Sequence, residues 1–138
     1  MSRRTATYTL QFHVVFYALL GIAELIYPWT ACPHGLAGPL TRAGRSPHDL
    51  CTELEANPAA NLIMYGLAKY HILFSVISTW ALLQDGIAQR YVLGLNAINF
   101  AADDSWAAAH LHWIGGGPLV LIPQALLVAW DAYLAMSH

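Results

Sequence analysis

The chain has 138 residues and a formal net charge of -2, with 57% hydrophobic and only 10% charged residues. Soluble domains usually have about a quarter of their residues charged. This composition, together with a mean hydropathy of +0.46, therefore indicates a membrane protein of one domain. The small negative charge provides no basic surface, and we expect no nucleic-acid partner.

Four apolar segments follow one another, and each is close to the ~20 residues that a helix needs to cross ~30 Å of hydrocarbon. They run from Tyr8 to Tyr27, from Ala59 to Leu83, from Tyr91 to Trp113 and from Pro118 to Met136. The first is too long for the apolar region of a signal peptide, so we expect it to be retained. The sequence therefore predicts an all-α fold, an integral membrane four-helix bundle over residues 1–138 with a long loop, 29–58, between the first two helices.

The arginines favour a cytoplasmic N-terminus, in a bacterial inner membrane or the endoplasmic reticulum. Arg3 and Arg4 precede the first helix and Arg90 lies in the short second connection, whereas Arg42 and Arg45 lie in the long loop. Basic residues are more frequent in cytoplasmic loops. Large aromatic residues lie towards the predicted helix ends, as in membrane aromatic belts: Tyr27, Trp29, Trp80, Tyr91, Trp113, Trp130 and Tyr133.

Both cysteines, Cys32 and Cys51, lie in the predicted outer loop, each close to a histidine, His34 or His48. A disulfide between them would contribute about 3 kcal/mol in an oxidising compartment. Two free thiols are the second interpretation. A zinc site is the third, but neither half has the usual ligand spacing. We predict the disulfide and no metal site.

Polar side chains within the predicted helices fall on stripes, at 100° per residue. In chain order the stripes are His13, Tyr17 and Glu24; Asn61, Tyr65 and Lys69; Asn96, Asn99, Asp103 and His110; and Gln124 and Asp131. Gly21 lies beside the first stripe and lets a neighbouring helix approach. A separate stripe on the second helix, His71, Ser75 and Ser78, lies about 110° away. Because lipid disfavours polar side chains, we interpret the stripes as lining a common interior; interhelical hydrogen bonding is the alternative.

Lys69, Asp103 and Asp104 are expected near mid-membrane, about 16 Å below the outer helix ends at ~1.5 Å per residue. A lysine paired with one carboxylate would satisfy both charges. The other carboxyl group could then exchange a proton near neutral pH. The same count puts His13 and Asp131 nearer the inner surface.

These patterns predict a pocket that binds a lipophilic small molecule and catalyses proton transfer, such as isomerisation or cyclisation. Asp103 and Asp104 are the predicted acid/base pair, Lys69 controls their protonation, and Glu24 and His110 complete a proton relay. Seven further residues are predicted to contact the ligand: Tyr65, Asn61, Asn99, Tyr17, Gln124, His13 and Asp131.

The size and four-helix topology loosely resemble those of DoxX-like membrane proteins. The intramembrane carboxylates and histidine resemble the emopamil-binding sterol-isomerase type. The resemblance is one of topology and assigns no residue roles.

Two other functions remain open. The chain could be a non-catalytic lipid-binding or assembly subunit of a membrane complex, or a proton-linked carrier that oligomerises because four helices leave little space for alternating access. Phosphate-binding, thiol-redox and zinc-protease motifs are lacking, so we predict no cofactor. Haem ligation by His13 and His71 on facing helices is a further alternative.

Overall fold

The computed structural model describes residues 3–27, 52–53, 55–84, 86–109 and 121–137. Four helices account for most of them: α1 (Arg3–Ile26), α2 (Pro58–Leu82), α3 (Gly86–Ala109) and α4 (Leu121–Met136). The described residues contain no strand. The predicted all-α class and the number of long helices are thus confirmed; most of the predicted 29–58 loop, with Cys32 and Cys51, lies outside the described residues.

Two helices begin earlier than the apolar runs suggested. α1 begins at Arg3 instead of Tyr8, and α3 begins at Gly86 instead of Tyr91. Polar residues such as Arg4, Gln89 and Arg90 interrupt the apolar pattern in these first turns but are compatible with a helix, and Gln89 is packed inside the protein. Hydropathy therefore located the segments but not their first turns.

The start of α2 is fixed by a helix cap. Asn57 accepts hydrogen bonds from the backbone N–H groups of Ala59 at 3.0 Å and Ala60 at 3.2 Å, and Pro58 occupies the first turn. The cap satisfies N–H groups that have no partner within the helix. Proline has no N–H group, so at this position it loses no helical hydrogen bond.

Among the described residues, two helices are long and apolar enough to cross a membrane: α1, over Arg4–Ile26, and α2, over Pro58–Leu82. α3 carries two aspartates and two asparagines, and α4 is described over 16 residues only. Length and composition point to a membrane location through this first pair of helices.

The helices form two antiparallel pairs, α1 with α2 and α3 with α4. At Gly21, α1 and α2 approach each other closely: a Cβ atom there would lie 2.8 Å from Ile72 Cδ1 and 3.0 Å from the carbonyl oxygen of Ala68. The Ser75 hydroxyl donates to the carbonyl oxygen of Val14 at 2.9 Å, further along the same interface. The predicted role of Gly21 is thus confirmed.

A hydrophobic cluster packs all four helices together near the start of α1. It takes one residue from each of the other helices in addition to Leu10, and a second from α3: Ala81, Val92, Leu93 and Leu134. Beyond the opposite end of α1, the Tyr27 hydroxyl donates to Glu55 Oε1 at 2.5 Å, which holds the segment before α2 against the end of α1.

Candidate functional site

Glu24 and His71 form a carboxylate–imidazole pair between α1 and α2. Glu24 Oε2 lies 2.6 Å from His71 Nδ1, and the two residues are 3% and 8% exposed. Such a contact fixes the orientation of the ring and directs its other nitrogen, Nε2, away from the carboxylate. Within the described residues Nε2 has no hydrogen-bond partner, yet it is not one of the fully enclosed polar atoms. It is therefore the imidazole nitrogen that a ligand can reach.

His13 and Asp131 form a second pair, between α1 and α4. His13 Nε2 lies 3.0 Å from one carboxylate oxygen of Asp131 and 2.9 Å from the other. Both side chains are completely buried. Because α1 and α4 belong to different helix pairs, this contact joins the two halves of the bundle, as does the hydrogen bond from Trp130 Nε1 to the Thr9 hydroxyl at 3.1 Å.

Tyr17 lies between the two pairs. Its ring centroid is 5.8 Å from that of His13, 5.9 Å from that of His71 and 5.9 Å from that of Phe100, with small interplanar angles in each case. Phe74 completes the cluster at 5.5 Å. These aromatic rings fill the space between the two polar pairs and separate their environments.

A hydrogen-bonded chain links α2, α3 and α1 beside the Glu24–His71 pair. The Tyr70 hydroxyl donates to Asn99 Oδ1, and Asn99 Nδ2 donates to the Tyr17 hydroxyl at 3.3 Å. Asp103, one turn further along α3 from Asn99, is close enough to His71, Tyr70 and Tyr17 to interact electrostatically with each. Polar groups from three helices thus converge around His71.

The predicted Lys69 ion pair is absent. Lys69 is exposed, and among the described residues no salt bridge joins it to Asp103 or Asp104. On α2, the residue within electrostatic range of Asp103 is His71. The long lysine side chain can extend outwards from a helix, so its sequence position did not require a buried partner.

The inward stripe of α2 was therefore assigned wrongly. Tyr65 is 42% exposed, and Asn61 lies at the end of the helix, where its Nδ2 donates to the carbonyl oxygen of Glu55 at 2.7 Å. The buried stripe is the separate one, His71, Ser75 and Ser78. The buried stripe of α1, with His13, Tyr17 and Glu24, is confirmed.

The remaining predicted site residues differ in how deeply they are buried. Asn96 is completely buried and Asn99 partly so, whereas Asp103 is exposed and Asp104 half-buried with Oδ1 unpaired. Gln124 is half-buried. His110 lies outside the described residues. The sequence interpretation missed Tyr70, Phe74 and Phe100, although Phe100 follows Asn96 by four residues and so shares its helix face.

The geometry speaks against haem between His13 and His71. Each imidazole already contacts a carboxylate, and the ring of Tyr17 contacts both. In the described part of the chain no three His, Cys, Asp or Glu side chains are grouped as metal ligands.

A cavity lies elsewhere, on the outer face of α3 and α4. It is a groove of about 570 Å³ with apolar walls, and its lining includes Ile87, Gly94, Leu95 and Ile98, with Arg90 and Tyr91 at one end. It does not include any member of the two histidine–carboxylate pairs.

Comparisons of the chain with protein-family models, with curated proteins and with solved structures found no match. A functional assignment therefore depends on the side chains and their geometry.

Proposed function

We propose that the protein is a small integral membrane protein of four spans, in which His71, oriented by Glu24, exchanges protons with a lipophilic small molecule. As an enzyme it is a cofactor-independent isomerase or cyclase. The observation that carries the proposal is the 2.6 Å contact between Glu24 and His71 Nδ1, which leaves Nε2 within reach of a ligand.

The distribution of polarity supports the membrane setting for all four helices. Inside the bundle lie His13, Glu24, His71, Gln89, Asn96 and Asp131. Outside, large apolar side chains are exposed on every helix, among them Leu19, Leu62, Ile98 and Leu126. In water this arrangement would bury polar groups and expose apolar ones, both at a cost. In lipid the same arrangement is favourable.

An exposed aromatic residue on each helix supports the same setting. These residues are Tyr8, Trp80, Tyr91 and Tyr133, all at least half exposed. Each lies within two residues of the hydrophobic cluster that packs the four helices together, so they surround the bundle at one level. Such a ring is typical of a membrane–water interface. Arg4 and Arg90 lie at the same end of the bundle, which supports a cytoplasmic N-terminus.

The chemistry follows from the residues around His71. Imidazole exchanges protons readily near neutral pH, and a carboxylate at Nδ1 favours the ring form whose Nε2 accepts a proton. In a double-bond shift, Nε2 removes a proton from a carbon next to a double bond, and the C–H electron pair becomes the new double bond. The original π pair moves to the far carbon, which takes a proton back from the imidazolium or from protonated Asp103. The substrate loses one proton and gains one, so no oxidant is needed.

Deuterium incorporation tests this proposal even while the substrate is unidentified. The full chain in lipid nanodiscs is incubated in D2O with the lipophilic fraction that copurifies with it, and mass spectrometry detects new C–D bonds. The wild type should introduce deuterium into at least one compound, because a proton removed from carbon exchanges with solvent before it is returned.

Three variants make the test specific. His71→Gln should abolish the incorporation, and Glu24→Gln should strongly reduce it. Lys69→Met should retain it, because Lys69 is exposed and forms no ion pair with the aspartates among the described residues. Incorporation that survives His71→Gln, or that is absent from the wild type with every compound, would refute proton transfer to carbon at this site.

A second candidate, a lipid-binding or assembly subunit, is favoured by the groove of about 570 Å³ on α3 and α4. A substitution that fills the groove, Gly94→Leu, should then release copurifying lipid. The expectation for this function is lipid loss with Gly94→Leu and no deuterium incorporation in any variant. Gly66→Leu is a matched control, because a Cβ at Gly66 would have no neighbour within 4 Å.

A further inference from the structure

One polar residue from each helix lies at a common level in the interior of the bundle. The hydrophobic cluster fixes that level, because it includes Leu10, Ala81, Leu93 and Leu134, one per helix. Three residues along a helix correspond to about 4.5 Å. Three residues after the cluster lie His13 on α1 and Asn96 on α3. Because α2 and α4 run in the opposite direction, the same level is reached three residues before the cluster, at Ser78 and Asp131.

These four residues, the central polar layer, are completely buried. The next turn of the bundle is aromatic, with Tyr17, Phe74 and Phe100, and the hydrophobic cluster lies on the other side. The central polar layer is thus enclosed between two apolar layers.

Most polar atoms of the central polar layer have no partner within the described residues. They are His13 Nδ1, Ser78 Oγ, the two polar side-chain atoms of Asn96, and Asp131 Oδ2, which makes no hydrogen bond although it lies 2.9 Å from His13 Nε2. Only His13 and Asp131 contact each other. A buried polar group without a hydrogen bond destabilises the fold, so the unpaired atoms of these side chains, all at one level, call for a common partner.

The unpaired atoms define the chemistry of that partner. Asn96 Nδ2 can only donate, Asn96 Oδ1 can only accept, and Ser78 can do both. A cation would satisfy the acceptors and leave the amide N–H groups unpaired. A partner that both donates and accepts is required, and the enclosure by apolar layers limits its size.

We propose that the central polar layer binds ordered water, which bridges His13 Nδ1, Ser78 and Asn96. Buried waters typically make about three hydrogen bonds to groups of this kind. The water gives the sealed His13–Asp131 pair a proton-exchange partner inside the bundle. This site is independent of the chemistry proposed for His71.

Radiolytic footprinting of the full chain in nanodiscs tests the proposal. A short X-ray pulse generates hydroxyl radicals from bound as well as bulk water, and mass spectrometry measures the oxidation of each side chain relative to the unfolded chain. His13 should be oxidised despite its complete burial, whereas Leu93 and Leu134 in the hydrophobic cluster should be protected. In H2¹⁸O the label at His13 should appear with a delay relative to exposed residues.

The variant that removes the site is Ser78→Ala combined with Asn96→Leu, which replaces the bridged groups by apolar ones. Oxidation of His13 should fall at least severalfold in this variant, and Ser105→Ala, at an exposed serine of α3, should not change it. Protection of wild-type His13 equal to that of Leu93 would overturn the proposal. So would unchanged His13 oxidation in the double variant.

Discussion

The two histidine–carboxylate pairs have the same chemistry in different surroundings. His13 and Asp131 are both 0% exposed and join α1 to α4, across the two helix pairs. Glu24 and His71 lie within one helix pair and leave one imidazole nitrogen accessible. A buried pair is costly to break, because the loss of either partner leaves the other uncompensated. The comparison supports the proposal that the sealed pair serves mainly the assembly of the bundle and that the accessible pair serves proton exchange.

Removal of the carboxylate from the sealed pair should have the largest effect on stability. Asp131→Ala leaves His13 without its partner and should lower the free energy of unfolding by about 3–5 kcal/mol. Thermal or denaturant unfolding in detergent measures the loss. The double variant His13→Leu with Asp131→Leu replaces both partners by apolar groups and should be much closer to the wild type. A single variant as stable as the wild type would show that the contact does not hold the two helix pairs together.

Neutralisation of the carboxylate in the accessible pair should affect activity more than stability. Glu24→Gln should reduce deuterium incorporation by about 10²–10⁴-fold, the usual contribution of acid–base catalysis. Its effect on the free energy of unfolding should be about 1.5–3 kcal/mol, as for a hydrogen bond to a charged group. If Glu24→Gln proved more destabilising than Asp131→Ala, the proposed division of roles between the two pairs would be reversed.

Gly21 offers a way to disturb one pair through the backbone. A Cβ at this position would meet Ile72 and the carbonyl oxygen of Ala68, so Gly21→Ala should force α1 from α2 and destabilise by about 1–3 kcal/mol. It should misalign Glu24 and His71 and leave His13–Asp131 intact. Gly66→Ala, with open space around it, is the matched control and should be neutral or slightly stabilising. Equal effects of the two substitutions would contradict the close helix approach.

The smallest effect is expected at Tyr27, one turn beyond Glu24. Tyr27→Phe removes the hydrogen bond to Glu55 and should cost about 1 kcal/mol. Burial, and then the bond to Glu55, raise the pKa of Tyr27 to about 12 from its ordinary value of 10. The stability that this hydrogen bond contributes is therefore present below pH 10 and is lost as the pH rises through about 12. The difference in phenolate absorbance between the wild type and Tyr27→Phe isolates this residue. A midpoint of that difference near pH 10, the ordinary tyrosine value, would contradict the contact.

Helical periodicity predicted much of α1 but could not choose between two polar faces of α2. His13, Tyr17, Gly21 and Glu24 form a single stripe, and that stripe is buried. On α2 the sequence offered two polar stripes, one with Lys69 and one with His71. The charge of Lys69 led us to choose its stripe, which is not the buried one. A charge indicates function only if the side chain is known to point inwards, and periodicity does not supply that information.

The partners of the buried groups depend on contacts far apart in the chain. His13 and Asp131 are separated by 118 positions and Glu24 and His71 by 47. Depth counting put His13 and Asp131 at the same inner level, and the structure pairs them. Depth counting could not predict the contact between Glu24 and His71, because that contact depends on the close approach of α1 and α2 at Gly21.

The reactivity of the two imidazoles tests the division of roles most directly. Full-length protein in nanodiscs is treated with diethylpyrocarbonate, which acylates accessible neutral imidazole nitrogen, and peptide mass spectrometry follows His71 and His13 separately. His71 should react at least tenfold faster than His13, and Glu24→Gln should change the rate at His71 alone. Equal protection of both histidines, or faster reaction of His13, would contradict an accessible proton-exchange site at Glu24–His71.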